Sequence, residues 1–224
     1  MKNYHSSRRQ FVGTLAAGAS GLLAAMPGSS VAKTPEINNS LVGEADAWFN
    51  KVKGSHRIVY DATEPHDGFP MIWTWVYYKT NNDSGSADND LTAVVVLRHN
   101  AIPFAMEDKL WEKYKFGEMF KINDNNLNAP AVRNTLYVPQ AKDYPLPGID
   151  GIKTLQQRGA MFCVCNMAIS VYSGFAAKAM NLDPEVVRQD WLSGILPGVQ
   201  VVPSGVWAVG RAQEKKCAYC YAGG

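Results

Sequence analysis

The sequence lacks the short motifs that mark several large enzyme classes. None of G-x-G-x-x-G, a P-loop, G-x-S-x-G or H-E-x-x-H occurs in its 224 residues. Their absence disfavours classical nucleotide-binding, hydrolase and zinc-protease chemistry. Cysteine and histidine are also scarce, at four residues each, and there is no internal repeat or low-complexity tract. The candidates for chemistry are therefore few.

A strong net charge is missing as well. The formal charge is +2, and the first 32 residues carry three basic side chains and no acidic one. The rest of the chain is close to neutral and holds no basic cluster, so we predict no nucleic-acid partner. A hydrophobic fraction of 46% argues against disorder and predicts one domain with a sizeable core.

The first 32 residues have the pattern of an export signal. Lys2, Arg8 and Arg9 form a basic start, Phe11 to Ala25 is weakly apolar, and the small residues before Ala32 suit a signal peptidase. "SRRQFV" matches a twin-arginine signal; the alternative is a Sec signal that contains two arginines. The apolar stretch is too short and too broken by glycine for a permanent membrane anchor. We therefore predict a periplasmic or otherwise exported protein, cleaved after Ala32.

The remaining chain predicts one α/β domain. Residues 33–54 read as an N-terminal tail with a short helix, and residues 55–224 as the domain. The apolar run Leu91 to Leu97 predicts a strand that is buried on both faces, as in a parallel sheet covered by helices. Strands alternate with helices along the chain, which predicts three layers around a mainly parallel sheet of about five strands. Residues 124–148 are predicted to be an irregular insertion or loop that could cover a site or a neighbouring subunit.

Several helix boundaries can be predicted from single residues. Gly159 should end the helix in "GIDGIKTLQQRG", and Asp183 is a plausible N-cap with Pro184 at the first helical position. The stretch "EDKLWEKYKFGEMFKIN" predicts a charged amphipathic helix. The aromatic stretch from Trp73 to Tyr78 is predicted to be core and subunit interface.

Cys165 is the leading candidate for a reactive thiol. It lies where the apolar strand "AMFCVC" meets a helix that begins near Asn166. The amides and partial positive charge of a helix start favour the thiolate, which is the reactive form. Ligands also bind at the carboxyl ends of strands in open α/β sheets. The alternative is an inert core cysteine.

The other three cysteines leave several possibilities open. Cys163 should share a strand face with Cys165 if the strand is regular, and this geometry disfavours a direct disulfide. Cys217 and Cys220 form a C-x-x-C that could be a redox or structural disulfide if the chain turns there. All four thiolates together could instead bind zinc or an iron–sulfur cluster, although C-x-C spacing on a strand is poor for a metal site.

Polar residues near the predicted strand ends are candidates for binding. His99 and Asn100 end the central strand, where His99 could act as an acid or base or be structural. Ser204 follows another strand and could help to hold an anion or simply cap a helix. His66 and Asp67, in the loop after the first predicted strand, are candidate metal ligands.

The C-terminal half contains "LQQRGAMFCVCNMA" and then "GILPGVQVVPSGVWAVGRAQEKKCAYCYA", and it follows "HRIVYDAT" and "LTAVVVLRHNAIPFA". The C-terminal half resembles the DsrE/DsrF-like family of sulfur-relay proteins, and the two earlier stretches are similar to the family's first two strands. It covers most of residues 55–222 and leaves 124–148 unaccounted for. It implies a flavodoxin-like fold, assembly as trimers or hexamers, and a strand-end cysteine that carries persulfide sulfur. By position that cysteine is Cys165.

Three hypotheses follow. The first is an exported DsrE-like protein, a sulfurtransferase-like persulfide carrier, in which Cys165 exchanges sulfur with a donor protein or small thiol. His99, Asn100, Asn166 and Ser204 would surround it, and no cofactor would be needed. The second is a non-catalytic small-ligand-binding or assembly module. The third is a metal- or cofactor-binding protein that uses the four cysteines.

Overall fold

The computed structural model describes residues 39–223. The predicted export signal, its cleavage after Ala32 and the start of the predicted tail lie outside these residues. All of the described residues belong to one structural unit.

A parallel sheet of five strands forms the centre of the fold, in the order β6-β5-β2-β1-β7. Its strands are β1 (His56–Ala62), β2 (Leu91–Leu97), β5 (Met161–Cys165), β6 (Val199–Val202) and β7 (Ala218–Tyr221). A separate antiparallel hairpin pairs β3 (Asn123–Asp124) with β4 (Ala129–Pro130). β2 is buried along its whole length, as its unbroken apolar sequence predicts.

Helices cover both faces of this sheet. They are α1 (Asn39–Phe49), α2 (Phe69–Asp83), α3 (Asp108–Tyr114), α4 (Phe116–Met119), α5 (Ile152–Arg158), α6 (Asn166–Met180), α7 (Pro184–Ser193) and α8 (Gly205–Glu214). α1 and α8 pack on one face, and α2, α5, α6 and α7 contribute to the larger core on the other. The predicted three-layer, flavodoxin-like α/β fold is therefore confirmed. No helix within residues 39–223 is long and apolar enough to cross a membrane.

Helix α1 is part of the α/β domain. Its residues Ala45, Trp48 and Phe49 are buried in the layer that α1 shares with α8. Burial of a phenylalanine-sized side chain contributes about 1.5–3 kcal/mol to folding. The domain thus extends N-terminal to the boundary expected at residue 55.

The predicted helix boundaries near Gly159 and Asp183 are confirmed. Gly159 has a φ of 106° at the C-terminal end of α5, a conformation that glycine adopts without steric cost. Asp183 caps α7 by accepting hydrogen bonds from the amides of Glu185 and Val186, and Pro184 is the first helical residue.

The predicted amphipathic helix after residue 106 is two short helices instead. The chain is left-handed at Lys115 between α3 and α4. The amide of Gly117 donates to the carbonyl of Ala131 at 3.2 Å, and a Cβ at Gly117 would overlap the backbone of Ala131. The helix breaks where Gly117 makes this close approach to Ala131, the residue that follows β4.

Residues 124–148 form the predicted irregular segment, apart from the short strands of the hairpin. An ion-pair network orders it: Arg133, with 17% of its side chain exposed, contacts Asp124 and Asp143, whose side chains are almost completely buried. Leu136 and Tyr144 lie against Gly68 in the loop between β1 and α2. The segment therefore packs against a loop at the carboxyl edge of the sheet.

Candidate functional site

The sheet has its topological switch point between β5 and β6. After β1, β2 and β5 the chain continues over the face that α2, α5 and α6 cover, and after β6 it crosses the opposite face as α8. The connections of the neighbouring strands β5 and β6 therefore leave on opposite faces. In open α/β sheets, ligands bind in the crevice that such a divergence opens at the carboxyl ends of the strands.

Cys165 lies at this switch point. It is the last residue of β5 and the N-cap of α6, and its Sγ accepts a hydrogen bond from the amide of Ala168 at 3.3 Å. The side chain is buried, with only 6% of its surface exposed. A sulfur at the start of a helix of 15 residues lies in the positive potential of its free amides.

Asn166 and Ser204 flank the same crevice, and both have structural partners. The Oδ1 of Asn166 accepts from Arg188 in α7 at 3.1 Å. The Oγ of Ser204 accepts from the amide of Trp207 at 3.2 Å and caps α8. Of the two roles considered for Ser204, helix capping is the one that this geometry displays.

A buried ion pair that sequence reasoning missed joins the ends of β1 and β2. Arg98 Nε donates to Asp61 Oδ1 at 2.6 Å, and its Nη2 donates to Oδ2 at 2.8 Å. The Tyr219 hydroxyl donates to the same Oδ2 at 3.0 Å. Asp61 is 4% exposed, so this two-pronged partner keeps its charge from being buried alone.

Arg98 also lies next to the cysteine. Its pKa is raised chiefly by the hydrogen bonds to Asp61, and Cys165 is among the groups that interact with its charge. The side chain packs on Gly205 at the start of α8, where a Cβ would lie 2.5 Å from Arg98 Cδ. An acidic residue within the apolar strand "HRIVYDA" was the sequence signal for this pair, because a buried carboxylate requires a partner.

His99 and Asn100 are brought together by Glu64. Glu64 Oε1 lies 2.8 Å from His99 Nδ1, and Asn100 Nδ2 donates to Oε2 at 2.8 Å. The Tyr172 hydroxyl of α6 donates to Asn100 Oδ1 at 2.6 Å. Both predicted residues therefore belong to a hydrogen-bonded chain between the β1 loop and α6, of which sequence reasoning missed Glu64 and Tyr172.

A cavity of about 450 Å³ opens beside this network. Its wall includes Glu64, His66 and Asp67 after β1, Asn100 after β2, and Phe120 and Lys121 after α4. The volume is within the range of about 300–1,000 Å³ that is typical of small-molecule sites, and the space is an open depression rather than an enclosed pocket. Another, larger depression of about 910 Å³ lies at the opposite edge of the sheet, near Leu91 and Met161.

The other cysteines are distributed over both faces of the sheet. Cys163 is fully buried in the layer below α1 and α8, and burial raises its pKa. Cys165 packs with the other core cluster, because the strand ends there and the backbone turns into α6. Cys217 is buried with the α1–α8 layer, whereas Cys220 contacts the opposite cluster. Burial also raises the pKa of Cys217.

All four cysteines are free thiols in the structure. Within the described part of the chain, no group of three or more histidine, cysteine, aspartate or glutamate side chains is arranged to hold a metal ion. The hypothesis of a metal cage built from the four cysteines is therefore wrong: residues of each pair face different sides of the sheet. His66 instead contacts the hydroxyl of Tyr221 at 2.9 Å.

Comparisons with known proteins give no functional assignment. No family model matches the chain, and no curated protein matches it. Among solved structures, a protein of unknown function from Methanobacterium thermoautotrophicum (MTH1491) is similar to 75% of this chain and 99% of its own. The sequence identity is 17% and the TM-score 0.39. A likeness of this degree carries no argument about activity.

Proposed function

We propose that this protein is a DsrE-like sulfur carrier that holds a transferable sulfur as a persulfide on Cys165. One observation supports this above the others: Cys165 ends β5 and caps α6 at the switch point of the sheet, with its Sγ 3.3 Å from the amide of Ala168. The guanidinium of Arg98, which is paired with Asp61, also interacts with this sulfur. Sulfur exchange proceeds through the thiolate, and the amide of Ala168 is a donor that such an anion can use.

The transfer is a thiol exchange at sulfur. The Cys165 thiolate attacks the outer sulfur of a donor persulfide, the sulfur–sulfur bond of the donor breaks, and the donor leaves as a thiolate. An acceptor thiolate then removes the same sulfur and releases Cys165 as a thiolate, so that no external oxidant or reductant is consumed. The low exposure of Cys165, 6%, suits this role because it restricts access by unrelated thiols.

The experiment is to expose the protein to glutathione persulfide and to locate the added sulfur by mass spectrometry of peptides. We expect one added sulfur atom on Cys165, and subsequent transfer of that sulfur to a small acceptor thiol. Cys165→Ser should lose it, whereas Cys220→Ser, which alters a half-exposed thiol, should retain it. Sulfur on Cys220 alone, or equal loading of the Cys165→Ser variant, would refute the assignment.

Export and assembly are parts of the same proposal. The motif "SRRQFV" supports twin-arginine export, and retention of an Arg8→Lys, Arg9→Lys variant inside the cell would be the expected result; unchanged secretion would count against it. Exposed apolar side chains on α6 and α7 support assembly, since Phe175 is 59% and Val186 65% exposed and exposed apolar patches mark interaction surfaces. A trimer or hexamer is expected in analytical ultracentrifugation, and a monomer at all concentrations would contradict it.

A non-catalytic ligand-binding protein is the second candidate. The cavity favours it, because the wall residues do not include Cys165. In that case, the persulfide donor should leave Cys165 of the native protein unmodified. The protein would then act by binding a ligand in the cavity.

A further inference from the structure

The cavity at the carboxyl edge is built by three separate parts of the chain. The loop after β1 supplies Glu64 to Asp67, the end of β2 supplies Asn100, and the turn after α4 supplies Met119 to Lys121. Three of these residues have a positive φ: His66 at 41°, Asp67 at 48° and Lys121 at 56°. Non-glycine residues rarely adopt this conformation. The surrounding packing must therefore hold the backbone of these three residues in place, and with it the direction in which each side chain leaves the backbone.

The charges on the cavity wall are of two kinds. Glu64 has both carboxylate oxygens engaged, by His99 and by Asn100. Asp67 and Lys121, in contrast, are exposed at the rim, and they form no ion pair with each other or with any other residue between 39 and 223. The wall therefore carries one anionic and one cationic group that are available to a ligand.

The cavity also has an apolar part. Phe120 is 5% exposed, and its ring packs on Tyr172 of α6 with centroids 5.1 Å apart. Met119 lines the cavity beside it. A ligand that pairs with both free charges would thus place its remaining atoms against the partly exposed Met119, behind which Phe120 is buried.

We propose that this cavity binds a free α-amino acid with an apolar or sulfur-containing side chain. The ligand ammonium pairs with Asp67, its carboxylate pairs with Lys121, and its side chain packs on Met119. A zwitterion satisfies both wall charges at once, whereas a simple cation or anion leaves one of them unpaired. The site does not use Cys165 and is independent of sulfur transfer.

Calorimetric titration with three probes tests the proposal: L-methionine, L-methioninamide, which lacks the carboxylate, and N-acetyl-L-methionine, which lacks the ammonium. Charge-assisted hydrogen bonds of this kind correspond to about a tenfold change in affinity or more. We expect L-methionine to bind and each analogue to bind about tenfold more weakly. Analogues that bind as well as methionine, or no saturable binding of methionine, would overturn the proposal.

Two charge-removing variants assign the contacts. Asp67→Asn keeps a residue that tolerates a positive φ and should weaken methionine without changing N-acetyl-L-methionine. Lys121→Gln should weaken methionine without changing methioninamide. Lys115→Gln is the matched control, since Lys115 is an exposed lysine with a φ of 52° outside the cavity. An equal loss in Lys115→Gln would refute the site, and unchanged binding in Cys165→Ser is expected.

Discussion

Replacing Asp61 by asparagine tests whether its ion pair with Arg98 holds the carboxyl edge of the sheet together. The new side chain has nearly the same shape, but it loses the charge and presents an NH₂ group or a neutral oxygen to the two guanidinium donors. Arg98 now donates to both carboxylate oxygens at 2.6 and 2.8 Å. The substitution therefore leaves at least one donor of Arg98 poorly matched.

The expected loss is about 2–3 kcal/mol of unfolding free energy. Removal of one partner from a fully buried ion pair costs about 3–5 kcal/mol. The Asp61 side chain is 6% exposed, but that of Arg98 is 29% exposed, so water can partly solvate the abandoned guanidinium. Urea denaturation should show the loss as a lower midpoint, by about 1 M for a slope near 2–3 kcal/mol/M.

Asp83→Asn is the control for a change of charge alone. Asp83 pairs with Lys79 on the exposed side of α2, with 62% of its side chain exposed, and such pairs contribute about 0.3–0.5 kcal/mol. A double-mutant cycle of Asp61→Asn with Arg98→Met should give a coupling energy above about 1 kcal/mol. If Asp61→Asn costs no more than Asp83→Asn, or if the two losses simply add, the ion pair does not stabilise the edge.

Three further outcomes are expected. Gly205→Ala should lower the unfolding free energy by about 1–3 kcal/mol because its Cβ meets Arg98, whereas Gly210→Ala, with open space around it, should be neutral or stabilising; equal effects would contradict the packing. In native thiol labelling, Cys163 and Cys217 should react last, because burial raises the pKa of both; rapid labelling of Cys163 would argue against the described core. Burial raises the pKa of Tyr77 to about 12 and also raises the pKa of Tyr60 and Tyr78. The contribution of these tyrosines to the unfolding free energy should therefore be fully present below the ordinary tyrosine pKa of about 10. It should fall as the pH rises from there towards 12, and a constant urea midpoint up to pH 12 would refute this.

Local patterns predicted those parts of the fold that depend on neighbours in sequence. Leu91 to Leu97 is apolar without alternation, a pattern that is typical of a strand covered on both faces. Asp183 and Pro184 meet the needs of a helix start, and Gly159 meets those of a helix end. In each case the physical cause lies within a few residues of the feature that it explains.

The parts that could not be predicted depend on contacts between distant segments. The helix after residue 106 has the right amphipathic pattern, yet it breaks at Lys115 because Gly117 must approach the backbone of Ala131. The sequence marks His99 and Asn100 as candidates because they follow the end of a predicted strand. Their partner Glu64 belongs to another loop, and it reaches them only because β1 and β2 lie side by side in the sheet.

Helix α6 physically links the two parts of the carboxyl edge. Cys165 is its N-cap, and two turns later Tyr172 donates to Asn100, which in turn donates to Glu64 at the cavity. Tyr172 also packs on Phe120 at the cavity wall. The start of α6 is also bound to α7, because Arg188 donates a hydrogen bond to Asn166. A shift of the helix at one end would therefore strain the contacts at the other end. The sulfur atom of Cys165 and the cavity are therefore held in a fixed relation by the same 15-residue helix, although no wall residue of the cavity contributes a thiol.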